Sequence, residues 1–517
     1  MSIPKKVDVV VCGAGPVGLL AACLLGKYQI PTVLVEKNSE PYEIPRAIAL
    51  DDETLRILQV IGLHRDFEQI AKKAAGLQLC SQKGKALFTI TKRAVSGKDA
   101  SFLFYSPLLE NLLRNRLKEY KSVKSFYSAE LLKVQTTKNA VLSSMAIGQN
   151  LEQIQSKYLI ACDGANSSIR KKIGLSWQNY GYTATNLKID LELHQNIRYS
   201  DYIKKFVGPK GKAYVFLDSW HKHKRVEFSL PKQDQNKSHI DKLPEILKTD
   251  DFSILHEATY QFKSGTAKQW LKNKVALAGD AAHLMPPYIG QGMCAGFRDV
   301  HNLCSKLMLI EKQGFSTKIL DSYQKERKPH VRFVIGLTVG VGLLFTSPLR
   351  YFLFVINCLL PQALHRFEAP PIKLKKGFFM KSHLAGQLFP QNLVLDAQQR
   401  AINSDAFLKE GFNLIFFVEK GRNFEHIPKQ TSLKSRIKTL QICVTFIHLQ
   451  VPKHKQKPAH FVDQGAFSKW FAKHKQHALL LRPDKYIFCS CSLKSKSEQK
   501  QIEQVIKMTE PLCKMIK

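Results

Sequence analysis

A chain of 517 residues exceeds the roughly 250 to 300 residues at which single hydrophobic cores stop growing, so two or three domains are expected, with room to bury a sizeable cofactor. Its 44% hydrophobic and 23% charged residues are those of a globular protein and exclude extended disorder. The formal charge of +36 favours acidic small molecules or anionic lipid; the basic residues, however, are dispersed from Lys5 to Lys517 without zinc-finger spacing, an RNA-recognition aromatic signature or a compact basic helix, so no nucleic-acid partner is expected.

Val7, Val9, Val10 and Val11 form a short β-branched run of the kind found in parallel strands buried on both faces. Directly after Cys12 come Gly13, Ala14, Gly15, Pro16, Val17 and Gly18, a G-x-G-x-x-G string between a strand and a helix. In that setting Gly13 permits the tight turn, Gly15 lets backbone approach a pyrophosphate at the positive helix end, and Gly18 lets the helix pack closely on the strand. A second apolar strand, Thr32 to Val35, ends in Glu36 and Lys37, about twenty residues on, where the motif places a ribose-binding carboxylate. The unit reads as a dinucleotide site and does not by itself distinguish NAD from FAD. It also accounts for the apolar segment from Val9 to Leu25, so no signal peptide is expected.

Tyr158 to Ala161 reads as a buried strand, with Asp163 and Gly164 at a turn and Arg170 on a starting helix. From Trp177 to Trp270 apolar and polar residues alternate, as in Leu187, Ile189, Leu191 and Leu193 and in Val226, Phe228 and Leu230, which is strand periodicity. Val275 to Ala278 form another apolar strand, followed by Gly279, Asp280, His283, Pro286, Pro287, Gly290, Gln291 and Gly292, and then by a helix carrying Met293, Cys294, Arg298, Asp299 and Asn302. Two charge-poor stretches, Phe333 to Leu349 and Tyr351 to Leu364, are shorter than the roughly 20 residues that span a bilayer and are broken by Pro348 and Arg350. They read as buried helices, with monotopic membrane attachment as the alternative.

Further on, Phe412 to Val418, Leu440 to Ile447 and Ala478 to Leu481 supply the strands of a smaller α/β region. The 11 cysteines are an odd number, and Cys12, Cys23 and Cys162 sit in apolar runs, which fits a reducing cytosol. Cys489 and Cys491 lack a second ligand pair, so no metal site is expected.

In order and spacing, the Gly13 to Gly18 string, Asp163-Gly164 and Gly279-Asp280 resemble the three signatures of the aromatic flavoprotein hydroxylases, the single-component class that includes para-hydroxybenzoate and phenol hydroxylases. Pro45, Arg46 and Ala47, the acids Asp51, Asp52 and Glu53, and the string from Gly290 to Asp299 are similar to the 3-(3-hydroxyphenyl)propionate hydroxylase subgroup. The resemblance implies an α/β fold: a Rossmann-like FAD-binding domain over residues 1–175 and, with a helical segment, 271–383; an inserted antiparallel-sheet substrate domain over 176–270; and a thioredoxin-like domain over 384–517, without Cys-x-x-Cys and serving structure or dimer contact.

It further implies FAD as cofactor, NADH or NADPH as reductant, and insertion of one atom of O2 into a small phenolic or other aromatic substrate through a flavin hydroperoxide, with no catalytic side chain because the chemistry is the flavin's. The residues it assigns to FAD are Gly13, Ala14, Gly15, Pro16, Val17, Gly18, Glu36, Lys37, Arg46, Ser106, Asp163, Gly164, Asp280, Pro287, Gly290, Gly292, Met293 and Cys294. Tyr260, Phe262, Gly265 and Pro286 are the expected substrate neighbours. Ser106 stands where relatives carry a flavin-contacting Gln, and Gly265 where they often carry an Arg near the substrate. Three readings follow: an aromatic hydroxylase in the cytoplasm; a polyketide or quinone-precursor hydroxylase at the membrane surface; and a non-hydroxylating FAD-binding protein.

Overall fold

The computed structural model describes residues 3–41, 44–92, 101–197, 199–207, 213–230, 239–346, 366–369, 373–449, 459–495 and 497–516. The chain divides into two compact units, one formed mainly by residues 1–94, 99–301 and 331–370, the other mainly by 302–330 and 371–517.

In the first unit, the valine run becomes the strand Lys6–Cys12 at the centre of an eight-stranded sheet, parallel to both Thr32–Val35 and Asn150–Ala161. Val9 to Val11 are fully buried, as a strand covered on both faces requires. The helix Pro16–Lys27 follows with Pro at its first position, where the missing N–H costs no hydrogen bond. The apolar strand Val275–Leu277 adds parallel to Asn150–Ala161, so a segment far along the chain joins the same sheet.

A second sheet of nine strands is built around Trp177–Leu193, which pairs antiparallel with both His223–Leu230 and Phe252–Ala267. Its apolar half behaves as the periodicity predicts: Leu187, Ile189, Leu191, Val226, Phe228 and Leu230 form one core with Leu243 and Leu247. The polar half does not. Asn186, Lys188, Asp190, Arg225 and Glu227 alternate with those residues and are buried too, so the facing parts of Trp177–Leu193 and His223–Leu230 are covered on both faces, whereas Phe252–Ala267 keeps alternate residues exposed.

The second unit holds a seven-stranded sheet. Asn413–Val418 pairs in parallel with Cys443–His448 and antiparallel with Ala478–Leu481, which turns back into Ile487–Cys491. The helices Thr431–Thr439, Ala466–His474 and Glu498–Cys513 fall between and after these strands, giving the thioredoxin-like order. Its core gathers Phe389, Ile415, Phe417, Ile447, Phe467 and Leu479.

One expectation is corrected. The stretch from Phe333 forms the end of the helix Asp321–Thr346, but it is not a buried helix throughout: Phe333 is 53% exposed and Leu343 44%, because apolar residues occur on more of its circumference than the first unit covers. Tyr351 to Leu364 lie outside the described residues. Among the described residues no helix is long and apolar enough to cross a membrane.

Candidate functional site

The three glycine-bearing motifs converge at the C-terminal ends of the parallel strands, the side of an open α/β sheet where ligands bind. Gly13 has φ +101° and lies where a side chain would strike the Cys162 carbonyl, so the ends of the first strand and of Asn150–Ala161 meet as closely as backbone allows. Two residues on, the opposite holds: space around Gly15 is open. Gly15 is the N-cap of Pro16–Lys27, and no side chain caps that helix, so its first-turn amides and positive end face this open space. Glu36 lies across the turn, its Oε2 accepting from the Ala14 amide at 2.7 Å and its Oε1 from Asn38 at 3.0 Å, while Lys37 is exposed. An amide-lined helix end, open at a glycine and flanked by a carboxylate, fits the pyrophosphate and ribose of a dinucleotide.

Asp163 is engaged within its own turn. Its carboxylate accepts from Ser167 Oγ at 2.6 Å and from the Ile169 amide at 3.0 Å, closing the start of the helix Ser168–Lys172. The buried Arg170 on that helix donates to the Ala281 carbonyl at 2.7 Å, which ties the second motif to the third. Asp163-Gly164 thus orders the neighbourhood through its own backbone and through Arg170.

At the third motif, Gly279 has φ +58° and abuts Val17 of the glycine string, and a side chain on Gly296 would collide with Val17 as well. The helix Gly292–Gln313 therefore lies directly against the first motif. Its position is fixed by two buried residues the sequence reading gave no role. Asp299 accepts from the Gly279 amide at 3.2 Å and bonds His283 Nε2 at 2.6 Å; Arg298 pairs with Asp51 and, at 2.6 Å, with Glu53. Cys294 is fully buried near the Ala49 carbonyl, whereas Gly290, Gly292 and Met293 are partly accessible at the helix start. Asp280 is exposed at its tip yet set among dense protein, and desolvation pushes its carboxyl above the usual range, with His283 and Arg46 pulling it down.

Ser106 has a partner within the chain. It is buried at the start of the helix Ser106–Lys118, and its Oγ accepts from the Arg46 amide at 3.0 Å, which holds the Pro45-Arg46-Ala47 segment. The exposed Arg46 side chain is close enough to act electrostatically on both Glu110 and Asp280. From the other side Arg225 donates to the Pro45 carbonyl at 2.7 Å and the Arg46 carbonyl at 3.1 Å, so the polar face of the nine-stranded sheet is fastened over this segment.

Of the expected substrate neighbours, Tyr260 and Phe262 lie on that polar face, half-buried, their rings stacked 6.4 Å apart. Gly265 lies on the same strand but cannot line a cavity with a side chain: a Cβ there would sit 2.5 Å from Trp177 Nε1 and 2.6 Å from the Gln178 carbonyl. Pro286 is buried and Pro287 half-buried in the loop that carries Tyr288, whose hydroxyl accepts from Tyr182 at 2.9 Å. Lys188, Arg225, Glu227 and Lys205 on the sheet escaped the sequence reading because alternating polar residues look like a solvated face. The signal was the alternation of opposite charge, Lys188 and Asp190 on one strand against Arg225 and Glu227 on its neighbour. Among the described residues no His, Cys, Asp or Glu group could hold a metal ion.

The family model described as FAD binding domain matches residues 6–338, and that of the HcaD C-terminal domain matches residues 386–505. The chain is 26% identical to a probable NADH-specific resorcinol 4-hydroxylase of Rhodococcus jostii (strain RHA1), covering 94% of this chain and 92% of that protein. It is also 26% identical, with the same coverage, to the 3-(3-hydroxy-phenyl)propionate/3-hydroxycinnamic acid hydroxylase of Escherichia coli (strain K12 / DH10B). Among solved structures it resembles the flavin-dependent monooxygenase PieE in complex with FAD and substrate, with a TM-score of 0.78 at 18% identity over 99% of both chains. Aklavinone-11 hydroxylase in a ternary complex with FAD and aklavinone gives 0.77 at 15% identity, over 98% of this chain and 99% of that one.

Proposed function

We propose, because the chain belongs to the FAD binding domain family, that it is an FAD-dependent, NAD(P)H-consuming monooxygenase inserting one atom of dioxygen into a phenolic or other small aromatic compound. The observation that carries this reading is the convergence of Gly13 to Gly18, Gly279-Asp280 and the start of Gly292–Gln313 on one another through Val17. FAD, when bound, supplies hydride acceptance and dioxygen activation. The residues we assign to holding it are Gly13, Ala14, Gly15, Pro16, Val17, Gly18, Glu36, Lys37, Arg46, Ser106, Asp163, Gly164, Asp280, Pro287, Gly290, Gly292, Met293 and Cys294.

Within that set the roles divide. The amides that begin Pro16–Lys27 would receive the pyrophosphate, Glu36 the ribose hydroxyls and Asp280 the ribityl chain. Asp163 and Cys294 act by fixing backbone, since both are engaged internally. The start of Gly292–Gln313 would offer a positive helix end to the flavin ring and so favour negative charge there. The two tyrosines Tyr182 and Tyr288 and the sheet's aromatic pair keep water from the reacting region, and no side chain is required as nucleophile.

We assign residues 1–175 and 271–383 to the FAD-binding domain, 176–270 to the substrate domain and 384–517 to a domain serving structure or dimer contact. The named substrates of the relatives, resorcinol and 3-(3-hydroxyphenyl)propionate, make single-ring phenols the first compounds to try; the polycyclic ligand named for a structural relative makes larger rings the second. The site is assigned to the cytoplasm, with peripheral membrane contact through the +36 charge and the exposed Phe333 and Leu343 as the second reading. The test is to purify the protein, record its flavin spectrum, and follow aerobic NADH and NADPH consumption with and without each phenol. Stimulated consumption is expected; a colourless protein that cannot be reconstituted with FAD contradicts the proposal. Co-sedimentation with anionic liposomes at low salt, lost at high salt, is expected only on the membrane reading.

A further inference from the structure

We propose that Lys188 is the substrate-recognition residue of this site, its ammonium donating to an acidic oxygen of the aromatic compound while Tyr260 and Phe262 take the ring. The inference rests on the monooxygenase reading above and names the group that selects the substrate.

Lys188 stands in the middle of Trp177–Leu193, on the polar face of the sheet, with only 9% of its side chain exposed. An ammonium removed from water costs several kcal/mol unless its three N–H groups find acceptors. Here they do not: the partner is Glu227, whose Oε1 is 3.9 Å from Nζ, beyond hydrogen-bond reach. Instead Nζ lies 4.9 Å over the ring of Tyr260 and 4.9 Å over that of Phe262, so the charge is held between two aromatic faces.

Its neighbours are left in the same condition. Asn186, directly opposite Tyr260 in the strand register, is buried with an Oδ1 that accepts no hydrogen bond. Glu227 is also 3.7 Å from Arg225, but the hydrogen bonds of that guanidinium go to Asp190, Pro45 and Arg46. Lys188, Asn186 and Glu227 thus form a buried polar group with donor and acceptor capacity to spare, walled by two stacked rings. A compound with a flat ring and one acidic oxygen, phenolic or carboxylate, completes it: the oxygen accepts from Lys188, and the ring lies against Tyr260 and Phe262. Arg225, by contrast, is consumed in holding the Pro45 to Arg46 segment and is unsuited to the role.

The test uses FAD-loaded protein and reads ligand binding as a change in flavin absorbance, so that binding is scored independently of turnover. Three probes are titrated into wild type, Lys188→Met and Lys188→Arg: resorcinol, benzoate and 1,3-dimethoxybenzene. A lost hydrogen bond to a charged group predicts roughly tenfold or greater weakening of Kd with Lys188→Met, for resorcinol if the oxygen recognised is phenolic and for benzoate if it is a carboxylate. Lys188→Arg recovers most of the loss, and dimethoxybenzene shifts less than twofold.

Equal affinity of Lys188→Met and wild type for both acidic probes overturns the inference, as does a wild-type holoenzyme that binds none of the three. Loss of FAD from Lys188→Met also overturns it, because it marks a structural role. If Lys188→Met fails to fold, Lys188→Met/Glu227→Gln preserves the local charge balance and carries the same expectation. Failure of the monooxygenase reading looks different: no retained flavin, or ring compounds that bind in a Lys188-dependent manner without accelerating NADH oxidation.

Discussion

Each of the two units buries a cluster of opposite charges, and the two clusters are built differently. In the second unit Glu326 accepts from Arg482 twice at 2.9 Å, from Lys306 at 2.8 Å, and from Asn302 and the Phe378 amide at 2.6 Å each; Asp484 accepts from Asn302 and pairs with Arg482. All of these charges are satisfied within the chain, and the cations hold the Glu326 carboxyl far below its usual range. On the nine-stranded sheet, Lys188, Glu227 and Asn186 stay apart at ion-pair distances or without a hydrogen bond. A closed network fixes a fold, whereas an open one costs stability unless a further partner completes it.

The largest expected effect comes from opening the closed cluster. Glu326→Gln leaves Arg482 and Lys306 buried without their anion and should cost about 3–5 kcal/mol, read as a lower urea midpoint for the transition of that unit; a midpoint within error of wild type would show that the network is dispensable. Next come the cofactor changes. Gly15→Val fills the open space at the helix end, and Asp280→Ala removes an acceptor worth roughly 1–3 kcal/mol; FAD content after gel filtration should fall in both, and normal occupancy in both would refute the placement of the dinucleotide. Completing rather than breaking the open cluster gives a smaller change: a bound ring compound should protect the amides of Trp177–Leu193 from hydrogen exchange and leave those of Asn413–Val418 unaffected.

The last effect is a pH dependence. Burial beside the Tyr288 ring lowers the Lys205 ammonium from 10.5 to about 7, with Glu227 opposing the shift. Between those values the unfolded chain binds a proton that the folded chain has released, so stability rises with pH from about 7 toward 10.5 and, for this group, is lowest and flat below about 7. Lys205→Met should flatten this rise in urea midpoints measured from pH 7 to 9. Glu326 has the same sign in a more acidic window: its folded value is depressed, so its contribution is full above the ordinary carboxylate range and is lost as pH falls toward the lowered value.

The turn and helix end assigned to the cofactor were legible in the sequence because they depend on backbone. A turn that admits no side chain at Gly13, and a helix end that needs open space at Gly15, leave glycines at fixed spacing wherever they occur. The strands of the thioredoxin-like unit were legible as apolar runs for a similar reason, since burial on both faces leaves no polar alternation. What Ser106 does instead was not legible: only the fold brings the Arg46 amide to its hydroxyl. The polar face of the nine-stranded sheet was hidden: Lys188 and Glu227 have the same period as solvent-facing residues, and only tertiary packing shows that they are buried. The same holds for Arg298 and Asp299, whose partners lie about 250 and 20 residues away in the chain.

In the proposed reaction the protein places one atom of dioxygen on an aromatic ring. This is tested most directly by supplying the FAD-loaded enzyme with NADH, resorcinol and isotopically labelled dioxygen, and weighing the organic product. The expected product is a ring compound heavier by a single labelled oxygen, formed in step with NADH consumption. NADH consumed with only labelled peroxide formed and the ring unchanged, for resorcinol and for every other aromatic compound that stimulates consumption, would contradict it.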